Sequence, residues 1–258
     1  MAQRIKDLIG LDGLIHVLAM GRVLHRNMIQ MVGIHGGFHG FWFDIEHAGI
    51  TIDQLEVATL AARSQNLDCF CRIPPTDYAI VTRCMEAGAG GVMAAQIHSA
   101  EEAERFVRWS KFYPRGHRGM NLGGWDARFG TTPAAEFCER ANRESLVLIQ
   151  IETTGAVQEC DAIAAIDGVD MLFIGPVDLS QSLGVPGDVM NKKCLDAIDR
   201  VSVACKNHGK HWGAVTLNPE HADMLVGKGC KMLSAGSDTR IVNAGIQAIK
   251  REYGKFFE

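Results

Sequence analysis

LVLIQIET (146–153) and DMLFIGPVDLS (170–180) decide how this chain folds. Each is a short apolar run rich in branched residues that stops at a carboxylate. In the first that carboxylate is Glu152; in the second it is Asp178, just past Gly175-Pro176. Runs of this length, apolar at successive positions and bounded by turn residues, are the signature of strands buried on both faces. Six more occur: LIHVLAM (14–20), FWFDIEH (41–47), DCFCRI (68–73), GGVMAA (90–95), HWGAVTL (211–217) and CKMLSAG (230–236). A carboxylate at the end of a buried strand is costly unless it is paired or meets a cation. Two of them on neighbouring strands predict a hard-oxygen site suited to Mg2+ or Mn2+.

Helical spacing fills the intervals. TIDQLEVATLAARSQ (51–65) opens on a Thr cap and repeats apolar positions every three or four residues. SAEEAERFVRWSKF (99–112) has a Ser cap, early acids and later cations, which complement the helix dipole. CLDAIDRVSVACKNHG (194–209) runs to Gly209, a C-terminal cap. Eight strands alternating with helices over 258 residues predict a single-domain α/β fold, the (β/α)8 TIM barrel, spanning 1–258. A doubly wound open sheet gives no reason for eight evenly distributed strands. The long connection at 113–145, with five glycines, breaks the alternation, and is expected to be an insertion on the active-site face that covers the substrate.

Composition narrows the function. Hydrophobic residues make up 47% and charged residues 22%, ordinary for a globular protein. The net charge of −4 and the lack of a Lys/Arg run argue against nucleic acid and membrane surfaces as partners. No apolar stretch nears the roughly 20 residues that span a bilayer. The start MAQRIKD lacks a signal-peptide core, and eight cysteines without CxxC spacing read as reduced, buried thiols; both point to the cytoplasm.

In a barrel, catalysis belongs at the C-terminal strand ends. The polar residues there are Asp44, Glu46, His47, Arg72, Gln96, Gln150, Glu152, Asp178, Ser237 and Asp238. Gln150 and Glu152, two apart on one strand, share a face. Acids with one arginine and one histidine form a metal-plus-anion set. HGGFHG (35–40) precedes a strand instead of opening a helix, so it is not a phosphate loop, and His208 and His211 read as structural.

Six segments in order, FDIEHAG, FCRIP, CMEAGAGGVM, YPRGHRG, IQIET and FIGPVDLSQSLG, resemble the HpcH/HpaI class II pyruvate (2-keto-3-deoxy acid) aldolase family. The resemblance is strong from about residue 40 to 185 and looser through AGSDT near the end. It implies a divalent metal (Mg2+ or Mn2+, with Co2+ a further candidate) held by Glu152 and Asp178. The reaction implied is reversible cleavage of a 2-oxo-4-hydroxy acid to pyruvate and an aldehyde through a metal-bound pyruvate enolate. It further implies that Arg72 stabilises the enolate and that His47 shuttles the proton. Glu86 would pair with His47, while Asp44 orients His47 or a metal water. Backbone N–H groups around Gly175, Pro176, Val177 and Asp178 would receive the carboxylate, and Gln150 would support the metal water. Family members form hexamers through exchanged C-terminal helices, so a homo-oligomer is expected.

Two segments depart from the pattern. GIHGGFHGFWFD (33–44) adds His35 and His39 near the usual GxDW-like turn. MNLGGWDARFG (120–130) replaces a small-residue, Arg-containing run expected to face the aldehyde. The reaction class therefore carries over better than the substrate. Two other readings keep or discard the enolate: a decarboxylase or a carbon–carbon bond-forming synthase on the same site, or a non-catalytic 2-oxo acid binding protein.

Overall fold

All eight apolar runs are strands. They are β1 (Ile15–Met20), β2 (Gly40–Asp44), β3 (Asp68–Ile73), β4 (Gly91–Ala94), β5 (Leu146–Ile151), β6 (Met171–Ile174), β7 (His211–Val215) and β8 (Met232–Ser237). Each pairs in parallel with the next, and β8 returns to β1, closing the barrel in chain order. This computed structural model describes residues 3–257; residues 1, 2 and 258, inside the expected bounds 1–258, lie outside the described residues.

Among the described residues twelve α-helices accompany the strands. Before and around the first half run α1 (Ile5–Ile9), α2 (Arg26–His35), α3 (Ile52–Ser64), α4 (Tyr78–Glu86) and α5 (Ala100–Ser110). The second half carries α6 (Ala134–Glu144), α7 (Thr154–Gln158), α8 (Cys160–Ala165), α9 (Pro176–Ser182), α10 (Lys192–Asn207), α11 (Pro219–Gly227) and α12 (Asp238–Glu252). Local chemistry sets several boundaries. Thr51 and Gln54 form a reciprocal capping box at the start of α3. Ser99 accepts the Glu102 N–H at the start of α5. At the end of α10, Gly209 takes φ +61°, the Gly209 N–H bonds the Lys206 carbonyl, and the Lys210 N–H bonds the Cys205 carbonyl. That pair of bonds is a Schellman termination, and the left-handed position favours glycine.

The strands' alternation sorts the core into two layers. Phe41, Phe43, Cys69, Cys71, Val92, Val147, Ile149, Leu172 and Ile174 face outward into the shell of helices. Val17, Trp42, Phe70, Met93, Leu148, Phe173 and Met232 fill the barrel interior, with Ile5 and Ile9 of α1 packed beneath them. Following the same inward positions toward the C-terminal ends changes the chemistry from apolar to polar: Trp42 is followed by Asp44, Phe70 by Arg72, Leu148 by Gln150 and then Glu152. Seven of the cysteines are buried and none is bridged among the described residues, as expected of core thiols. Burial pushes the Cys69, Cys205 and Cys230 thiols up to about 12, leaving them unreactive.

One expectation about placement is corrected. The 113–145 segment follows a helix, α5, not a strand, so the chain has already returned to the N-terminal rim when the insertion begins. There it packs around Phe112, Ala127 and Phe137, with the Trp125 backbone N–H donating to the Glu86 carbonyl and the Trp125 ring centre 4.1 Å from the Arg63 guanidinium carbon. None of its residues lines the cavity at this chain's own barrel mouth. The C-terminal helix α12 leaves the barrel surface. From Arg240 onward the helix stands clear of the barrel, leaving Ile241, Val242, Ile246, Ile249 and Tyr253 exposed. Among the described residues, no helix is long and apolar enough to cross a membrane.

Candidate active site

A cavity of about 380 Å³ opens at the C-terminal ends of the strands, within the size range of small-molecule sites. Its wall includes Asp44, His47, Arg72, Gln150, Gly175, Pro176, Val177 and Asp178, eight of the residues expected to act. Glu152 lies just behind this wall and touches it through Gln150. Glu86 is absent from it. As the last residue of α4 it sits at the opposite rim, because nine helical residues at about 1.5 Å each carry the chain roughly 13 Å down the barrel. Among the described residues no hydrogen bond or ion pair joins Glu86 to His47 within this chain, so the expected pairing is not made within one chain.

Arg72 organises one side. Asp44 and Arg72 are register partners on β2 and β3. Arg72 Nε donates to Asp44 Oδ1 at 3.1 Å and Nη2 to Oδ2 at 2.7 Å, a bidentate pair with the guanidinium side chain only 9% exposed. The guanidinium carbon also stands 4.8 Å from the centre of the Trp42 ring, whose indole N–H donates to Ser234 Oγ at 2.9 Å. Nη1 takes part in none of these hydrogen bonds. Asp44 Oδ1 further accepts the backbone N–H groups of Glu46 and His47 at 3.1 and 3.2 Å. Asp44 therefore holds Arg72 and the His47 backbone, not the His47 imidazole. Burial works to raise the Asp44 pKa, but the Arg72 hydrogen bonds and charge and the His47 N–H outweigh it and hold the carboxyl below its ordinary range.

Glu46 experiences the opposite balance. Its Oε2 lies 3.3 Å from Arg72 Nε and 3.6 Å from His47 Nε2, yet accepts no hydrogen bond. Burial, reinforced by the charges of Asp44 and Asp178, raises its pKa against the pull of Arg72 and His47. Glu152 is almost wholly buried, held by the Gln96 N–H (2.8 Å), Gln96 Nε2 (3.1 Å) and Gln150 Nε2 (2.6 Å). Burial first, then the Glu46 and Asp178 charges, push it up to about 7. Gln96 reaches Glu152 from a left-handed backbone, φ +49°, an uncommon geometry for a residue other than glycine.

The second strand end is arranged by glycine. A Cβ at position 175 would stand 2.4 Å from Glu152 Oε2 and 2.6 Å from Gln150 Nε2, so only glycine leaves this space open. The Gly175 N–H bonds the Ile151 carbonyl at 3.3 Å and Pro176 has no N–H, which leaves the Val177 and Asp178 N–H groups in the first turn of α9 without an intrahelical acceptor. Asp178 makes no capping bond.

The donor chemistry fits a hard divalent cation. Glu152 and Glu46 are pushed toward neutrality by burial first and by neighbouring acids second, Glu46 Oε2 and Gln150 Oε1 are buried without hydrogen-bond partners, and Gly175 keeps the space between strand ends clear. Among the described residues no three His, Cys, Asp or Glu side chains converge to form a closed metal cage. An ion such as Mg2+, which keeps several waters, needs only one or two carboxylates.

Glu46 and Gln96 stood in the sequence as polar strand-end residues without a role. The hydrogen-bonding of Gln96 depends on its backbone turn, for which the residue type gives no signal. Because the folded protein holds the Glu152 proton up to about 7, against 4.5 for an ordinary glutamate, it binds more protons than the unfolded chain between those values. Stability therefore falls as pH rises through that window. Urea unfolding in EDTA between pH 4.5 and 7.5 should show this decline, and Glu152→Gln should reduce its slope; an unaltered slope would show that Glu152 carries no such burial penalty.

The molecule's relatives agree with its geometry. A family model described as HpcH/HpaI aldolase/citrate lyase matches residues 25–244. The chain is 31% identical over 204 residues to 4-hydroxy-4-methyl-2-oxoglutarate aldolase of Hapsidospora irregularis, covering 76% of this chain and 73% of the relative. It is 27% identical over 226 residues to 5-keto-4-deoxy-D-glucarate aldolase of Klebsiella pneumoniae, covering 88% and 87%. The crystal structure of an HpcH/HpaI aldolase from Desulfitobacterium hafniense superposes with a TM-score of 0.89 at 28% identity, covering 96% and 97%. The chain belongs to the HpcH/HpaI aldolase/citrate lyase family of carbon–carbon lyases.

Proposed function

We propose that this protein is a metal-dependent class II aldolase that reversibly cleaves a 2-oxo-4-hydroxy acid into pyruvate and an aldehyde. The observation that carries the reading is the inward polar layer itself: a guanidinium locked by Asp44 and the Asp178 carboxylate just past β6 line one cavity, and Glu152 at the end of β5 lies just behind its wall, bonded to Gln150. Glu152 and Asp178 would hold a divalent cation, Mg2+ or Mn2+. When bound, that cation polarises the substrate carbonyl and orients the 2-oxo acid.

The chain's own residues supply the rest. The free N–H groups of Val177 and Asp178 receive the substrate carboxylate at the first turn of α9. Gln150 Oε1, buried and unpartnered, accepts from a water at the same position. In the cleavage direction a base takes the proton of the 4-hydroxyl, the C3–C4 bond breaks, and its electron pair passes to the C2 oxygen. His47, on the exposed lip of the cavity, takes that proton directly or through one water and later returns a proton to C3. Arg72 opposes the negative charge that develops on the C2 oxygen, with Nη1 free for that bond. Because Asp44 and Trp42 fix its plane beforehand, no reorganisation accompanies the reaction.

Assembly as a homo-oligomer belongs to the same proposal. The uncovered apolar stripe along α12 is larger than isolated exposed residues explain, and a second copy is the partner it suits.

Three measurements test the proposal. NMR of the pyruvate methyl protons in D2O should show exchange that EDTA abolishes and added Mg2+ or Mn2+ restores, and Glu152→Ala or Asp178→Ala should suppress it; exchange indifferent to EDTA would remove the metal from the reading. Arg72→Ala should lower kcat by ~10²-fold or more, whereas an effect confined to KM would reduce Arg72 to a binding group. Sedimentation velocity at micromolar concentration should report a species heavier than the 28.2 kDa chain, and a monomer at every concentration would overturn the assembly.

A further inference from the structure

The wall of the cavity beside β6 is made by the turn that follows β7. β7 ends at Val215 and α11 begins at Pro219, so three residues reverse the chain, and Val215, Thr216 and Leu217 line the cavity. Thr216 is buried and continues the ladder, its N–H bonding the Ser234 carbonyl at 3.0 Å, while its hydroxyl donates to the Asn218 carbonyl at 3.0 Å. Asn218 caps α11 by accepting the His221 N–H at 2.8 Å. Leu217 differs from both. Its side chain is 37% exposed, so burial does not fix where it points, and its placement depends on its backbone.

That backbone is held by His221. The Leu217 N–H donates to His221 Nδ1 at 3.4 Å, the one hydrogen bond made by the imidazole among the described residues. In a capping box the third helical residue accepts the N–H of the cap itself; here the ring reaches one residue further back, to the residue that lines the cavity. His221 is buried, and burial holds its pKa below the ordinary histidine value of 6.5, so the ring is neutral at neutral pH and Nδ1 is free to accept. The proton then sits on Nε2, which is buried with no partner among the described residues. A buried N–H without an acceptor is unfavourable, and an apolar side chain would avoid it. What the histidine adds is the bond to Leu217.

We propose that His221 is a positioning residue of the site, whose imidazole fixes Leu217 as an apolar wall against which the carbon chain of a bound 2-oxo acid packs. The inference rests on the aldolase reading for the end that holds the 2-oxo group. β6 and β7 are register partners, so the wall stands next to the first turn of α9, which receives the carboxylate in that reading. The carbon chain, leaving that turn, has Leu217 on its β7 side. A wall set before binding needs no ordering when the ligand arrives, whereas a Leu217 released from His221 must be ordered at each encounter.

The test uses pyruvate and 2-oxohexanoate, two monocarboxylic 2-oxo acids that differ by three methylenes. Calorimetric titration in the presence of Mg2+ should find 2-oxohexanoate bound more tightly by the wild-type protein. His221→Phe keeps a buried ring but no acceptor, and should cut that preference roughly 2- to 10-fold, the worth of one hydrogen bond. His221→Asn, whose side-chain carbonyl can accept in place of Nδ1, should restore part of it. Leu217→Ala should lose the preference as His221→Phe does, and the double variant should lose little more, since the two residues act as a unit. Peptide-resolved hydrogen exchange, which needs neither ligand nor activity, should show the Leu217 amide exchanging roughly 10-fold faster in His221→Phe than in the wild type. No preference in the wild type, a preference that survives in His221→Phe, or an unaltered Leu217 amide would each overturn the role. Pyruvate methyl exchange on the wild type keeps the two readings apart: its absence, with the preference and the amide behaving as stated, overturns the aldolase chemistry and leaves His221 as the residue that sets the wall of a 2-oxo acid binding site.

Discussion

The pairing of Asp44 with Arg72 is the interaction on which the site depends. A guanidinium at the top of a barrel interior has lost most of its water, and its charge is tolerable only with a fixed partner of opposite sign. Strand register supplies one: β2 and β3 place Asp44 directly beside Arg72, so the bidentate bond forms without either side chain leaving its strand. Removing one partner of such a pair typically costs about 3–5 kcal/mol, because the remaining charge stays buried. The same Asp44 also gathers the Glu46 and His47 N–H groups, so the turn after β2 is shaped by the group that fixes the arginine.

A hierarchy among the carboxylates follows from that bond. Asp44 takes the arginine and is easily ionised. Glu46, beside the same arginine but without a hydrogen bond, is not, and Glu152, held by amides and facing other acids, is held near 7. Several acids gathered around one arginine make a site short of positive charge, and the pressure for a cation comes from this imbalance as much as from any single ligand. The apolar layer of Trp42, Phe70 and Leu148 lies beneath this charged mouth.

Much of this was legible in the sequence because it depends on period. Eight runs such as DCFCRI and LVLIQIE announce buried parallel strands, and their ends locate the polar layer at Asp44, Arg72, Gln150, Glu152 and Asp178. What failed was the sense of direction between strands. Glu86 and the 113–145 segment both follow helices, and a helix carries the chain back to the far rim, so similarity of motif order could not bring either to this chain's own mouth. Partnerships were also hidden: Asp44 and Arg72 are 28 residues apart, and only strand register makes them neighbours.

The helix α12 begins inside the cavity wall and ends in open solvent. Its first turn holds Asp238, which clamps the β1 loop, and Arg240, while its later turns expose Ile246, Ile249 and Tyr253. A helix is stiff along its length, so these two ends behave as one lever. Whatever shelters the outer turns also restrains the inner one, and whatever occupies the mouth restrains the outer turns in return. If a second copy covers those outer turns, occupancy and association become linked quantities, each altering the equilibrium constant of the other by the same factor.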